Sequence, residues 1–151
     1  MLELARPGDR EAVNEIAGQV HHQHVSWRPD IYCAVEAYYS EEKFSQLCRT
    51  RELYVARLEN IVVGYTVLSQ HKMEGTGIVP RKVMMVDEFG VLDTCQGHGI
   101  GKSMMADIHA LAKAFRCSDL QLRVYPQNDD AIGFYQRCGF QIQNIGMQKK
   151  V

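Results

Sequence analysis

Three glycines stand within five residues in the run Gln96-Gly97-His98-Gly99-Ile100-Gly101-Lys102. Glycine accepts positive φ and lets backbone N–H groups approach a ligand with no Cβ in the way. Where such a turn opens a helix, the free N–H groups of the first turn and the helix dipole attract an anion. The chemistry this spacing suits is phosphate or pyrophosphate binding by backbone, with Lys102 as added charge. A plain strand-to-helix joint would need only one or two glycines. Two carboxylates, Asp87 and Glu88, lie a few residues upstream and can accept a proton. A phenol, Tyr135, follows Asn128-Asp129-Asp130 downstream; with an ordinary pKa near 10 it can donate one at neutral pH.

Two common phosphate motifs miss by one residue. The nucleotide P-loop, Gly-x-x-x-x-Gly-Lys-Ser/Thr, fits Gly101-Lys102-Ser103 at its end but meets Gln96 where its first glycine belongs. The dinucleotide fingerprint, Gly-x-Gly-x-x-Gly, meets Lys102 at its third glycine, and a meander of strands precedes it here instead of an early βαβ unit.

The elements around these residues can be read from periodicity. Leu2 and Leu4 alternate as a short strand, and Asp9 suits an N-cap before Val13, Ile16, Ala17 and Val20, one buried helical face. A second helix is expected within Cys33 to Cys48. Leu53–Leu58 and Ile61–Leu68 read as strands joined by a tight Glu59-Asn60 hairpin, and Val83–Leu92 as a third strand. The glycine turn then leads into an amphipathic helix reaching about Arg116. Leu120, Leu122 and Val124 alternate as another strand, and Asn128 caps a helix that Gly139 stops. One or two closing strands are expected from Phe140 to Val151. The whole predicts an α/β (mixed α+β) fold: one domain over residues 1–151, with a mixed sheet of six to seven strands and helices on both faces.

Gln/Arg-x-x-Gly-x-Gly/Ala between a strand and a helix resembles the pyrophosphate motif of the GNAT superfamily of acyl-CoA-dependent N-acetyltransferases; Gln96, Gly99 and Gly101 hold its defining positions. Asn128 to Phe140 is similar to a second signature of that family, Asn-x-x-Ala-x-x-Phe-Tyr-x-x-x-Gly-Phe. Asp93, where many relatives carry proline, and Met104-Met105, in place of a leucine pair, depart from the pattern without removing a functional group.

The resemblance implies acetyl-CoA as cosubstrate and transfer of acetyl to a primary amine by direct attack on the thioester. It puts the pyrophosphate on the backbone of Gln96, Gly97, His98, Gly99, Ile100, Gly101 and Lys102. It puts the pantetheine arm along Phe89 to Val91, with the Val91 N–H as an oxyanion donor. Tyr135 matches the family's general acid, although Ala131, Phe134, Tyr135 and Cys138 alone would read as an apolar stripe. Asn128 either contacts the cofactor or only caps its helix. Because an amine of pKa near 10.4 is protonated at pH 7, a base is expected; Glu88 is the candidate, Asp87 the other, and strand alternation lets only one reach the site. Gly90 inside the strand suggests a bulge or a close ligand approach. Trp27, Arg28, Asp30, Tyr32 and Glu36 fall where relatives line the acceptor pocket. A non-catalytic acyl-CoA sensor is the alternative of another class.

Composition narrows the partners. Seventeen basic and eighteen acidic residues leave no charge excess for nucleic acid or an anionic membrane. No stretch approaches eighteen consecutive apolar residues. The five cysteines are scattered without Cys-x-x-Cys spacing, which fits a reducing, cytoplasmic setting and packing roles for Cys95 and Cys138. His21 and His24 lie one helical turn apart but lack further ligands at matching spacing, so no metal is expected. The expected partners are a small-molecule or peptide amine and a second copy in a homodimer.

Overall fold

The computed structural model describes residues 1–151. Its elements in chain order are β1 (Leu2–Leu4), α1 (Arg10–Trp27), α2 (Glu41–Arg49), β2 (Leu53–Leu58), β3 (Ile61–Met73), β4 (Arg81–Val91), α3 (Ile100–Ala114), β5 (Asp119–Leu122) and α4 (Asp129–Arg137). The strands form one sheet in the order β1-β2-β3-β4-β5. All neighbours are antiparallel except β4 and β5, which are parallel.

Local chemistry accounts for the boundaries. Glu59 and Asn60 both take positive φ (48° and 69°), the backbone a two-residue hairpin needs to follow the strand twist. Ser40 caps α2 by accepting from the Lys43 N–H, and Asn128 caps α4 by accepting from Ala131 N–H at 3.1 Å. That second helix begins later than expected, at Glu41, because residues 28–40 form turns and loop; α1 in turn runs on through its histidines to Trp27.

The sheet separates two cores. Val13, Ile16 and Ala17 of α1 and Phe44 and Leu47 of α2 pack on Leu53, Val55, Tyr65 and Val67. On the other face, Met105, Ile108 and Ala112 of α3 cover Leu68, Met84 and Val86, with Phe134 and Tyr135 of α4 alongside. Helices therefore lie on both faces, as expected. An ion-paired cluster ties the first strand to the sheet: Arg57 donates to Glu3 and, at 2.6 Å, to the buried Asp9.

The sheet has five strands, not six to seven. The closing strands expected after Phe140 are absent, and residues 141–151 carry no regular structure. Ile142 and Ile145 are three apart and so cannot share one face of a strand. Both side chains stand in solvent, 71% and 81% exposed, with Gly146 between Ile145 and Met147. No apolar face remains to drive pairing with the four-residue edge strand β5.

One irregularity in β4 matters for everything downstream. Val67 pairs with Glu88 and Leu68 with Val86, so Asp87 has no partner and forms a β-bulge. The expected bulge at Gly90 is thus three residues earlier. Gly90 pairs regularly with Tyr65 and serves a close approach, of protein rather than ligand. A Cβ there would come within 2.8 Å of the Tyr65 ring and 2.9 Å of Ile16, both fully buried. Gly90→Ala is therefore expected to overpack the α1 side of the sheet and cost about 1–3 kcal/mol. Urea unfolding should show a lower midpoint at unchanged slope; an unaltered midpoint would contradict this packing.

Candidate functional site

The ladder between β4 and β5 joins only Val83–Val86 to Asp119–Leu122. Beyond it the two strands part, and the opening begins at the bulged Asp87. A cleft of about 470 Å³ fills this opening. Its walls come from the second half of α1, β4 past the bulge, the continuation of β5 through Tyr125, and the start of α4.

The bulge decides which side chains face which way. Before it, Met84 and Val86 point to the α3 side. After it, Phe89 still packs on that side, its ring stacked on Phe134 at 5.8 Å and edge-on to Tyr135 at 6.3 Å. Glu88 is turned to the α1 side instead, where the hydroxyls of Tyr39 and, at 3.0 Å, Tyr65 donate to its carboxylate. Tyr38 approaches the same carboxylate at 3.4 Å. The buried Thr66 hydroxyl donates to the Glu88 carbonyl at 2.7 Å, holding the strand here. Asp87 stays exposed. Both carboxylates line the cleft, against the expectation that only one would reach it, because the bulge at Asp87 breaks the alternation; Glu88 is the one held by tyrosine hydroxyls.

The three phenols keep their protons. Burial, followed by the neighbouring Tyr65 phenol and Glu88, drives the Tyr39 hydroxyl far above its usual range. Burial and then Glu88 do the same for Tyr65 and push Tyr38 to about 12. Each cause disfavours a second negative charge beside the carboxylate.

The open edge of β4 carries free donors. Leu92 N–H bonds the Val63 carbonyl at 2.8 Å, so antiparallel alternation turns the N–H groups of Phe89 and Val91 away from β3, toward the opening. The Val91 carbonyl is taken by the Gln96 side-chain amide at 3.1 Å. That amide also donates to Asp93 at 3.0 Å. Gln96 thus braces the turn with its side chain, and Asp93, in the place of a proline, supplies an acceptor for it.

The glycine turn follows. Gly97 and Gly99 have φ of 78° and 79°, left-handed backbone that other residues adopt at a cost. Nothing lies within 4 Å of where a Cβ would sit on either, so both open onto free space. The N–H groups of residues 97–102 meet no acceptor within the chain, and the first α3 bond runs from Ser103 N–H to the Gly99 carbonyl. His98 and Lys102 are exposed, whereas the Ile100 side chain is buried with Met104 in the core. Gly101 sits under the Phe134 ring, 3.3 Å from a Cβ position.

Tyr135 lines the cleft from α4. Its ring packs edge-on to Phe134 and Phe140, so the apolar stripe is real. Its hydroxyl makes no hydrogen bond within the chain, yet no buried side-chain polar atom anywhere is left unpaired; the oxygen is therefore not sealed from solvent. Burial, aided by Cys138, raises its pKa to about 12. Asn128 also lines the cleft while capping α4.

Glu88, Phe89, Asn128 and Tyr135 thus share one cleft, whereas Val91 and the glycine turn of residues 96–102, which follow on from β4 in the chain, are not part of its lining. Of the residues between the first helices, Tyr32 lines the cleft. Arg28 instead pairs with Asp30 at 2.8 Å, holding that carboxyl at about 2, and donates to Gln148 of the tail at 2.7 Å. Trp27 leans on His24, and Glu36 is exposed. Sequence reading missed Tyr38, Tyr39, Tyr65 and Tyr125, whose only signal was a high tyrosine count among unrelated segments. No three potential metal-ligating side chains converge, and no helix is long and apolar enough to cross a membrane.

Residues 20–140 match the model of the acetyltransferase (GNAT) family. The spermine/spermidine N(1)-acetyltransferase of Bacillus subtilis is 40% identical over 57 residues, 37% of this chain and 38% of that protein. A mutant of the BH1408 protein from Bacillus halodurans superposes with a TM-score of 0.95 at 26% identity, covering 100% of this chain and 99% of that one. Aminoglycoside N-acetyltransferase AAC(6')-Iy, solved in complex with CoA, shares the fold at a TM-score of 0.64 and 14% identity over 100% of both chains. With the parted strands, the glycine turn and a family match over most of its length, the chain belongs to the acetyltransferase (GNAT) family.

Proposed function

We propose that this protein is a single-domain, cytoplasmic N-acetyltransferase that uses acetyl-CoA to acetylate a primary amine. The observation that carries the reading is the unpaired edge of β4, which offers the Phe89 and Val91 N–H groups beside Glu88 and Tyr135 and runs into a helix N-terminus of free donors. The residues fit the cosubstrate: an anionic pyrophosphate suits the open N–H groups of residues 97–102, and an amide-bearing arm suits an unpaired strand edge. Acetyl-CoA, when bound, supplies the activated acetyl carbon and a thiolate leaving group.

The chain's own residues then have distinct tasks. Val91 N–H is placed to stabilise negative charge on a carbonyl oxygen; one such donor elsewhere is worth about 2.7–4 kcal/mol. Glu88, directly or through water, takes the proton that an ammonium must lose before its nitrogen can bond to the acetyl carbon. Tyr135 donates a hydrogen bond, and ultimately a proton, to the sulfur as the carbon–sulfur bond breaks and the electron pair leaves with it. After attack the nitrogen sheds a second proton, which restores the Tyr135 phenol, and its third proton stays on the amide; the proton taken by Glu88 is the one released to solvent per turnover. Retention of the Tyr135 phenol on the cleft wall argues against the sensor alternative.

Three outcomes are expected. Gly99→Val adds a β-branched side chain at φ 79° and misdirects donors to a charged group, each worth about 1.5–3 kcal/mol; acetyl-CoA affinity by calorimetry should fall about tenfold or more, with a folded far-UV spectrum. Equal affinity would move the pyrophosphate elsewhere.

Tyr135→Phe keeps the packed ring and removes the hydroxyl, so kcat should drop about 10²–10⁴-fold while acetyl-CoA affinity and melting change little. A fully active variant would end the catalytic assignment. With its pKa raised to about 12, Tyr135 stays protonated from neutral pH upward, so the wild-type rate should show no alkaline fall from this group below about pH 11.

Glu88→Gln should slow the reaction most near neutral pH. At high pH the amine deprotonates unaided and the deficit should narrow. A mutant-to-wild-type ratio that stays flat with pH would exclude Glu88 as the base.

A further inference from the structure

The acceptor side of the cleft carries a continuous wall of aromatic rings that the transfer chemistry does not use. Tyr38 packs on His21 at 5.2 Å between ring centroids, and His21 meets Tyr32 edge-on at 6.0 Å. Tyr32 stacks on His24 at 5.6 Å, and Tyr125 closes the row at 6.1 Å from Tyr32 and 5.7 Å from His24. The Tyr32 and Tyr125 hydroxyls bond each other at 2.7 Å, which fixes two segments far apart in sequence. All five rings line the cleft, and Tyr38 remains 38% exposed.

The charges around this wall are few. Glu88 stands at its inner end, held by tyrosine hydroxyls. The other charged groups of the lining are Asp87 and Arg123, both exposed. Burial and the neighbouring His21 lower the pKa of His24, so its ring meets a cation as a neutral face. An aromatic face attracts an ammonium through its quadrupole and a flat apolar body through stacking. One fixed carboxylate matches one ammonium. Beyond Glu88, an extended acceptor would meet only the exposed Asp87 and Arg123, and no second carboxylate held by tyrosine hydroxyls.

Resting on the acetyltransferase reading above, we propose that the acceptor is a primary monoamine with a flat apolar body, its nitrogen drawn to Glu88 and its body laid against Tyr32 and Tyr38. An extended polyamine, the substrate class in the name of the Bacillus subtilis relative, is disfavoured. The reaction is unchanged: the monoamine nitrogen bonds to the acetyl carbon, sulfur leaves with the electron pair, and Glu88 receives the first proton.

The test compares initial rates of coenzyme A release with 2-phenylethylamine, n-butylamine and spermidine on the full chain. The expected order puts 2-phenylethylamine first, with kcat/KM about tenfold or more above spermidine, the factor that 1.4 kcal/mol of added contact gives. Tyr38→Leu, at an exposed position that does not threaten folding, should raise KM for 2-phenylethylamine about threefold to tenfold more than KM for n-butylamine, whereas Tyr38→Phe, which loses the same approach to Glu88 but keeps the ring, should preserve the wild-type ratio of the two. Spermidine equal to or better than 2-phenylethylamine would overturn the monoamine assignment while leaving the acetyltransferase reading intact. A Tyr38→Leu KM equal to wild type would overturn the ring wall as the binding surface. No coenzyme A release with any of the three, in a protein that binds acetyl-CoA by calorimetry, would defeat the transferase reading itself.

Discussion

A single unpaired residue in β4 governs the geometry of this site. Strand side chains alternate strictly, so Met84, Val86, Glu88 and Gly90 would share one face of a regular strand. The extra residue at Asp87 breaks that count. It leaves Val86 and Phe89 on the α3 and α4 side and turns Glu88 and Gly90 toward α1. The consequence is chemical as well as geometric, because Glu88 would otherwise meet the apolar cluster around Met105 and Ile108 instead of tyrosine hydroxyls. An unpaired carboxylate there would cost several kcal/mol or lose its charge. The bulge also coincides with the last rung of the β4–β5 ladder, so the strand turns its side chains and frees its edge at the same place.

The two halves of the cleft are then complementary in charge. Along β4 and the glycine turn, the available groups are donors: backbone N–H groups and the dipole of α3. On the α1 side the fixed charge is one carboxylate. Under the proposed function an anionic cosubstrate and a cationic acceptor would each be drawn to its own half, and the attraction would need no surplus of charge on the protein as a whole, whose basic and acidic residues nearly balance. Tyr135 lies beside Phe89 where the halves meet. Its burial keeps the phenol protonated, which suits a donor to sulfur. It also makes full proton transfer uphill to a thiolate of ordinary pKa near 8.5, by about 1.36 kcal/mol per unit. Proton delivery coupled to bond cleavage is the arrangement these values favour.

Much of this was legible in the sequence. The glycine spacing, the Asn128 cap and the Glu59-Asn60 hairpin each rest on local rules that a few residues determine, and each appears as expected. The strand count failed at the tail, where one or two closing strands were expected within Phe140–Val151 although the spacing of Ile142 and Ile145 denies them a common face. Parity in β4 was the harder loss. Asp87 and Glu88 look equivalent in the sequence, and only the register against Val67 and Leu68 shows which is bulged. Most of the aromatic wall was invisible for another reason. Tyr32 was reached through the family resemblance, but Tyr38 lies in the loop before α2 and Tyr125 beyond the end of β5, and no periodicity relates residues that meet only after the sheet has formed.

The ring of phenols about Glu88 has a further consequence for turnover. Burial first, and then the neighbouring Glu88, keeps the protons on Tyr39 and Tyr65, so the phenols add no second negative charge beside the carboxylate. An ammonium is attracted to that charge and to the ring faces together. Acetylation converts it to a neutral amide, which keeps the apolar contact but loses the ionic one. Under the proposed mechanism the same carboxylate would then favour substrate over product in the cleft. Coulombic attraction between unit charges at 4 Å is about 4 kcal/mol at an effective dielectric of 20, before the cost of desolvating both groups. Even a small surviving fraction of that difference would bias the site toward releasing amide and admitting the next amine. A neutral apolar pocket of the same shape could not make that distinction.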